Sequence, residues 1–463
     1  MSLIPTHNQT LITDLYQLTM AAGYYSRGMQ QTSSFELYVR RLPKNRNFLV
    51  AAGLEQALDY LENLRFEAKE IAYLQSLPVF SNVDPSFWDY LKNFRFEGEV
   101  WALREGSVFF PYEPILRVTA PVIQAQLVET WLLSLINYQT SVASKAARIW
   151  LACQSGEKPV DFVDFGSRRA HGPEASVLAT RAAYLGGAVA TANVYAGMHL
   201  GLPVKGTAAH SWTMAFESEP EAFAAYHAVF PHNSVLLIDT YDTAQGARHA
   251  TALGSELQGV RLDSGDFLSL SREVRQILDA AGLEKAKIVV SGDMNEDKIA
   301  ALMAEKAPID IFGVGTELVT SIDAPSLGGV YKLVEQTESD GTQHYRVKLS
   351  SSKVSYPGIK QVWRTHSSLG FSHDLLALQG ESISGAMPQL SCVMKAGKRL
   401  QAPPALPLLR EICLEQLQNL PERLQALPVA EEAYPVTQSP ALRDLFASLK
   451  AEYEKNQAER SPL

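Results

Sequence analysis

Short apolar runs that end in Gly, Ser, Thr, Asp or Arg recur through the middle of the chain. They are VDFVDFGSRRAHG (160–172), PVKGTAAHSWTMAF (203–216), LLIDTYD (236–242), GVRLDSGD (259–266), IVVSGD (288–293) and IDIFGVGTE (309–317). Continuous apolar runs of this kind suit parallel strands buried on both faces. The starts at 235, 259, 287 and 309 fall 24, 28 and 22 residues apart, the length of one strand–helix unit. The pattern predicts strands at 160–165, 203–205, 235–239, 259–263, 287–291 and 309–313, with helices at 173–185, 220–230, 243–257, 267–281 and 295–306. Six such units make an α/β barrel the expected architecture. An open doubly wound sheet is the alternative, but GxGxxG and GxxxxGK[ST], the usual turns of its nucleotide-binding members, are absent.

On either side the pattern changes. Residues 10–29 open with a Thr- and Asp-containing cap (Thr10 to Asp14) and continue apolar at helical spacing, residues 33–43 alternate as a strand does, and 51–64 read as a helix. Residues 94–120 read as short strands separated by Gly-Ser and Pro turns, and 121–153 as one long helical stretch or two helices. Strand and turn character returns after Gly328, and the tail is Pro-rich with helical segments. The expected division is an α+β domain over 1–125, the barrel over 126–335, and a segment 336–463 that rejoins the first domain and makes it discontinuous.

Composition narrows the function. A chain of 463 residues with 46% apolar and 20% charged residues has ample material for buried cores. Its net charge of -9 argues against general nucleic-acid or anionic-membrane binding, so an anionic substrate must meet local clusters of Arg and Lys. The three cysteines, Cys153, Cys392 and Cys413, are far apart and show no CxxC or metal spacing, which fits a reducing cytoplasm. Neither a secretory signal nor a membrane-spanning stretch is expected.

In a barrel the ligand groups belong at the C-terminal ends of the strands. Arg168, Thr207, His210, Asp239, Asp242, Arg261, Asp263, Asp293 and Thr316 all lie near a predicted strand end. The chain breaks at Gly206-Thr207 and presents His210 from a loop or helix start, as a reactive residue or as an ordinary hydrogen-bonded histidine. Asp263 and Asp266 suit a ribose diol or a magnesium ion; equally, Asp263 or Ser264 can cap the helix starting at Phe267. The turns at Gly292-Asp293 and Gly313-Val314-Gly315-Thr316 have backbone N–H groups suited to a phosphate, or are simply tight connections. Arg168, Arg169, His171 and Arg261 form one local cationic surface, and Lys353, Lys360 and Arg364 a second basic strip. Phe165 and Tyr16 are either core aromatics or platforms for a flat heterocycle.

Taken in order from about residue 10 to 365, TDLYQLTMAAGYY, DFGSRRAHG, GTAAHS, IDTYD, RLDSGD, SGD, FGVGTE and GGVYKLV resemble the nicotinate phosphoribosyltransferase family. The resemblance implies an α+β domain packed on an irregular α/β barrel of the type II phosphoribosyltransferase kind, in a homodimer whose subunits share active sites. It implies transfer of phosphoribose from phosphoribosyl pyrophosphate to nicotinate, with Mg2+ and with ATP as co-substrate. His210 would be transiently phosphorylated, and Phe165 and a partner-contributed Tyr16 would sandwich the pyridine ring. Arg168, Thr207 and Arg261 would face the carboxylate or the phosphates, and Asp263 the ribose. Gly292, Asp293, Gly313, Gly315 and Thr316 would hold the 5-phosphate, with Ser355 and Lys360 reaching the pyrophosphate. The sister enzyme that uses nicotinamide has an acidic residue at the position aligned with Ala192, so the uncharged side chain here favours the acid. A sugar-phosphate isomerase or aldolase barrel explains the phosphate loops but leaves His210 and the aromatic N-terminal helix without a role, and a non-catalytic binder would not need Arg168, His210, Arg261 and Asp263 together.

Overall fold

The computed structural model describes residues 8–350 and 353–460. The first residues, read from the sequence as lacking a secretory signal, lie partly outside the described residues. A six-stranded parallel sheet forms the centre, in the order Ala190–Thr191, Asp161–Asp164, Ile311–Val314, Lys287–Val290, Gly259–Leu262, Val235–Leu237. It is a half-barrel. The expected strand at 203–205 is reduced to a single bridge from Val204 to Thr191, and the strand beside it is the two-residue Ala190–Thr191. Such a pair is too short to carry an apolar periodicity.

The helices between these strands start where their capping chemistry allows. Pro173 opens Pro173–Leu185 at a position where a missing N–H costs nothing, and Asn295 accepts the Lys298 N–H at the head of Glu296–Ala304. Helix Phe267–Ala280 is capped by Asp266, which accepts the Leu268 N–H, and it buries Ser271, Val274 and Leu278. The cap therefore belongs neither to Asp263 nor to Ser264, and the Asp263 carboxylate is left for other work. The expected helix 243–257 ends as Thr243–Ala250 and passes into a 3-10 turn broken at Gly254, whose φ is +56°.

A seven-stranded sheet lies outside the half-barrel and draws on both ends of the chain. Strand Thr32–Val39 pairs with Leu116–Pro121 on one side and Gly329–Thr337 on the other, and Leu390–Lys395 joins beyond Glu99–Leu103. The boundary expected at 335 thus falls inside a strand of this sheet. The apolar stretch 121–153 forms two helices, Val122–Leu127 and Glu129–Gln154. Every residue from Gln139 to Cys153 is buried, because this part of the long helix is enclosed by helices Pro173–Leu185 and Glu296–Ala304 and the strand Leu49–Val50. Among the described residues no helix is long and apolar enough to cross a membrane. The three cysteines are free thiols.

Candidate active site

The parallel strands end on one edge, and the side chains gathered there come from separate strand ends. Arg261, on the third residue of its strand, is held on three sides. Its Nε donates to Ser291 Oγ at 2.7 Å, Nη1 to Thr207 Oγ1 at 2.9 Å and Nη2 to Asp263 Oδ1 at 2.6 Å. The Ser291 hydroxyl in turn donates to Asp263 Oδ1. Burial raises the Asp263 carboxyl, but the Ser291 hydrogen bond and the Arg261 charge and hydrogen bond outweigh it and bring it below the usual carboxylate range. Asp263 is therefore ionised at neutral pH.

His210 begins the short helix His210–Met214 and stands beside this group. Its Nδ1 lies 3.2 Å from Thr240 Oγ1, while Nε2 is 3.9 Å from Asp263 Oδ2 and the side chain is 40% exposed. Asp239 Oδ2 accepts the Asp263 N–H at 2.9 Å and the Ser264 hydroxyl at 2.8 Å; its Oδ1 is buried without a hydrogen-bond partner.

The Phe165 ring lies across the neighbouring strand, with the Arg261 guanidinium carbon 5.4 Å from its centroid. Gly313 makes this possible, since a Cβ there would sit 2.5 Å from the ring. Beneath Phe165, the buried Asp164 accepts from the Gly166 N–H and from the hydroxyls of Thr180 and Thr191. Burial pushes its carboxyl up, and these hydrogen bonds oppose that only in part. Gly292 has φ +95° and is wedged against the Asp263 carbonyl; Asp293 follows in a left-handed conformation at +47°. Gly315 and Thr316 close the neighbouring strand end.

The match to known proteins is extensive. Residues 11–137 match the nicotinate phosphoribosyltransferase (NAPRTase) N-terminal domain, and residues 160–339 the nicotinate phosphoribosyltransferase (NAPRTase) family. Nicotinate phosphoribosyltransferase pncB2 of Mycobacterium tuberculosis is 43% identical over 96% of this chain and 95% of its own. The chain belongs to the nicotinate phosphoribosyltransferase family. The nicotinate phosphoribosyltransferase of Bacillus subtilis is 42% identical over 81% of this chain and 77% of its own. The crystal structure of human nicotinic acid phosphoribosyltransferase superposes with a TM-score of 0.83 at 30% identity, covering 94% of this chain and 99% of that one.

Within this family member, the structure brings together Phe165, Thr207, His210, Arg261, Asp263 and Gly313 from the residues singled out by sequence. Arg168 is exposed on the 3-10 turn Ser167–Arg169. Tyr16 is 47% exposed near the start of helix Leu15–Ser26, in the outer domain beside Thr130 and Glu129. No ring contact among the described residues joins it to Phe165. Three expectations need correction. Lys360 is buried, ion-paired to Glu36 at 2.8 Å, and donates to the carbonyls of Tyr356 and Gly358. All three of its protons are engaged, so none remains for pyrophosphate. Ser355 is buried as well, its Oγ accepting the Lys348 N–H. Arg364 also leaves the expected basic strip, since it lies buried against Asp374.

Two contributors escaped the sequence reading. Ser291 and Thr240 sit directly after or near apolar runs, where a hydroxyl reads as ordinary turn chemistry. A further cationic group gathers around Lys332, whose ammonium is lowered by burial and by Arg40, Lys348 and Lys353, against the pull of Glu129. Arg40 Nε and Nη2 are buried without a hydrogen-bond partner. Arg40 stands far from the other three in sequence, so no local pattern connects them.

Proposed function

We propose that this enzyme transfers the phosphoribosyl group of phosphoribosyl pyrophosphate to nicotinate, giving nicotinate mononucleotide and pyrophosphate, the entry step of NAD salvage from nicotinate. The observation that carries the reading is the continuous array Thr207–Arg261–Ser291–Asp263, with His210 and Phe165 beside it. In this reaction the C1–O bond to pyrophosphate breaks as the pyridine nitrogen lone pair forms the C1–N bond. Positive charge grows on the ribose ring and negative charge on the leaving group. The ionised Asp263 is suited to the first, and to accepting from the ribose hydroxyls. The cations Arg40, Lys332, Lys348 and Lys353, grouped near Glu129, repel one another and so would suit the negative charge of the second.

Phe165 offers a flat face to the pyridine ring, and Arg261, whose guanidinium carbon lies over the Phe165 ring at 5.4 Å from its centroid, offers positive charge to the carboxylate. Ala192 has no charge to oppose that carboxylate. The neighbouring Asn193 is engaged in structure: it accepts the Ala196 N–H and donates to Ser176. This arrangement favours nicotinate over nicotinamide. The turns at Gly292-Asp293 and Gly313–Thr316 follow adjacent strands and would suit the 5-phosphate, with Arg168 as an exposed cation on the turn Ser167–Arg169.

ATP coupling belongs to the same reading. The Nδ1 of His210 is turned to Thr240, leaving Nε2 as the nucleophile. Its lone pair attacks the γ-phosphorus of ATP, the bond to the β-phosphate oxygen breaks, and ADP leaves. Mg2+ fits the acidic residues present. Among the described residues no group of three or more His, Cys, Asp or Glu forms a ready metal cage, and magnesium ordinarily takes one or two carboxylates plus substrate phosphates. Asp239, with its orphaned Oδ1, and Asp263 would hold it, and it would neutralise the departing pyrophosphate.

The deciding assay measures mononucleotide formation from phosphoribosyl pyrophosphate and Mg2+ with nicotinate or nicotinamide, each with and without ATP. Product from nicotinate, raised by ATP with release of ADP, is expected. Product from nicotinamide alone transfers the enzyme to the sister specificity, and product from neither base overturns the reading.

A further inference from the structure

We infer that Ser291 is a positioning residue: its hydroxyl joins Arg261 to Asp263 as one unit and acts on the transfer through them, from beneath the site. The residue is 2% exposed, so the hydroxyl serves the protein and not solvent. A serine hydroxyl has one proton and two lone pairs. Here a lone pair receives the Arg261 Nε–H at 2.7 Å, and the proton goes to Asp263 Oδ1. The Leu262 carbonyl, at 3.4 Å, is the weaker alternative acceptor. Because Arg261 Nη2 reaches the same Oδ1 at 2.6 Å, guanidinium, hydroxyl and carboxylate close into a ring.

That ring decides which carboxylate oxygen is used internally. Oδ1 is taken twice, and Oδ2 is the oxygen turned toward His210. Without the hydroxyl, Arg261 loses its Nε acceptor and Asp263 loses a donor, and both side chains gain rotamer freedom where a precise direction is needed. The backbone is built for the same purpose. Ser291 N–H donates to the Leu262 carbonyl at 2.8 Å, and Gly292 packs against the carbonyl of Asp263, so the two strand ends are joined above and below the hydroxyl.

The inference rests on the phosphoribosyl-transfer reading, and its test separates the two. Wild type, Ser291→Ala, Ser291→Thr, Asp263→Asn and the double variant S291A/D263N are compared for kcat/KM with nicotinate and for phosphoribosyl pyrophosphate affinity by calorimetry, with Tm as a control. Loss of a hydrogen bond to a charged group should lower kcat/KM of S291A about tenfold or more. Ser291→Thr should recover most of it, and S291A should cost less than about twofold in the D263N background, because partners in one network are not additive. A loss under twofold in S291A, or an equal loss with and without Asp263, overturns the positioning role. If wild type forms no nicotinate mononucleotide, the base assignment fails; an affinity loss in S291A that disappears in D263N still supports the positioning role, and an unchanged affinity overturns it.

Discussion

Gly292 shows how little freedom single residues have at this site. Its φ of +95° suits glycine, and a Cβ would stand 1.9 Å from the Asp263 carbonyl oxygen, a backbone atom that no rotamer change can move. Gly292→Ala should therefore lower folding stability by about 2 kcal/mol or more, read by urea denaturation, and should lower kcat/KM as well by displacing Asp263. His210 predicts a different outcome. Its exposed ring supports no core, so His210→Ala should fold normally and lose the stimulation by ATP while keeping slow ATP-independent synthesis. Unchanged coupling of ADP release to product would remove His210 from that role. Asp263 and Asp266 show what was legible at this scale. RLDSGD announces two acids after a strand, but only the turn's path assigns Asp266 to the helix cap and Asp263 to Arg261 and Ser291.

Among the elements, the long helix Glu129–Gln154 does most to connect the site to the rest of the chain. Lys145, buried within it, pairs with Glu296 at 2.6 Å, Asp323 at 3.1 Å and Glu317 at 3.3 Å, and Arg148 meets Glu296 at 3.0 Å. Glu317 directly follows Thr316, so the network supports the loop assigned to the 5-phosphate. Removing one cation strands several partly buried carboxylates, and Lys145→Met should cost about 3–5 kcal/mol at neutral pH. The pH dependence has a definite sign. Burial raises Asp323 and Glu296, but their cationic partners, Arg46 and Lys145 for the first and Lys145 and Arg148 for the second, bring both below the usual carboxylate range. In the wild type their stabilisation is present above the unfolded carboxyl values near 4 and is lost as pH falls through the lower folded ones. In Lys145→Met the acids are relieved by protonation, so the stability gap between variant and wild type should narrow on acidification; urea midpoints at pH 7 and 4.5 check this. The amphipathic period made the long helix and its neighbours legible in advance, whereas the two-residue strand Ala190–Thr191 was not, because only pairing with Asp161–Asp164 makes it a strand.

Across the whole molecule, the outer domain carries Tyr16 and the half-barrel carries Phe165, and one chain does not bring the two rings together. Helix Val194–Leu200 also presents Val194, Tyr195 and Met198 to solvent, at 70%, 57% and 70% exposure, an apolar face suited to burial against a second copy. A homodimer in which each Tyr16 completes the other subunit's site would account for both features. Mixing Tyr16→Ala with His210→Ala after subunit exchange should then restore ATP-coupled activity at about a quarter of the sites, since half the dimers are mixed and each holds one intact site. No recovery, with mixed dimers shown to form, would place Tyr16 in its own subunit's site or outside it.

The strand–helix period, the caps and the acidic and glycine-rich strand ends are local properties, and they determined the parallel sheet, the edge on which the site lies and most of the residues there. Tertiary structure alone decided which of two nearby acids faces the site, that Lys360 and Ser355 are occupied in the interior, and that Arg40 joins three lysines from the far end of the chain. It also decided that one serine hydroxyl holds Arg261 and Asp263 together. The physical reason is the range of the forces involved: periodicity and capping act within a few residues, whereas ion pairing, burial and hydrogen-bond satisfaction depend on groups that meet only after the chain has closed on itself.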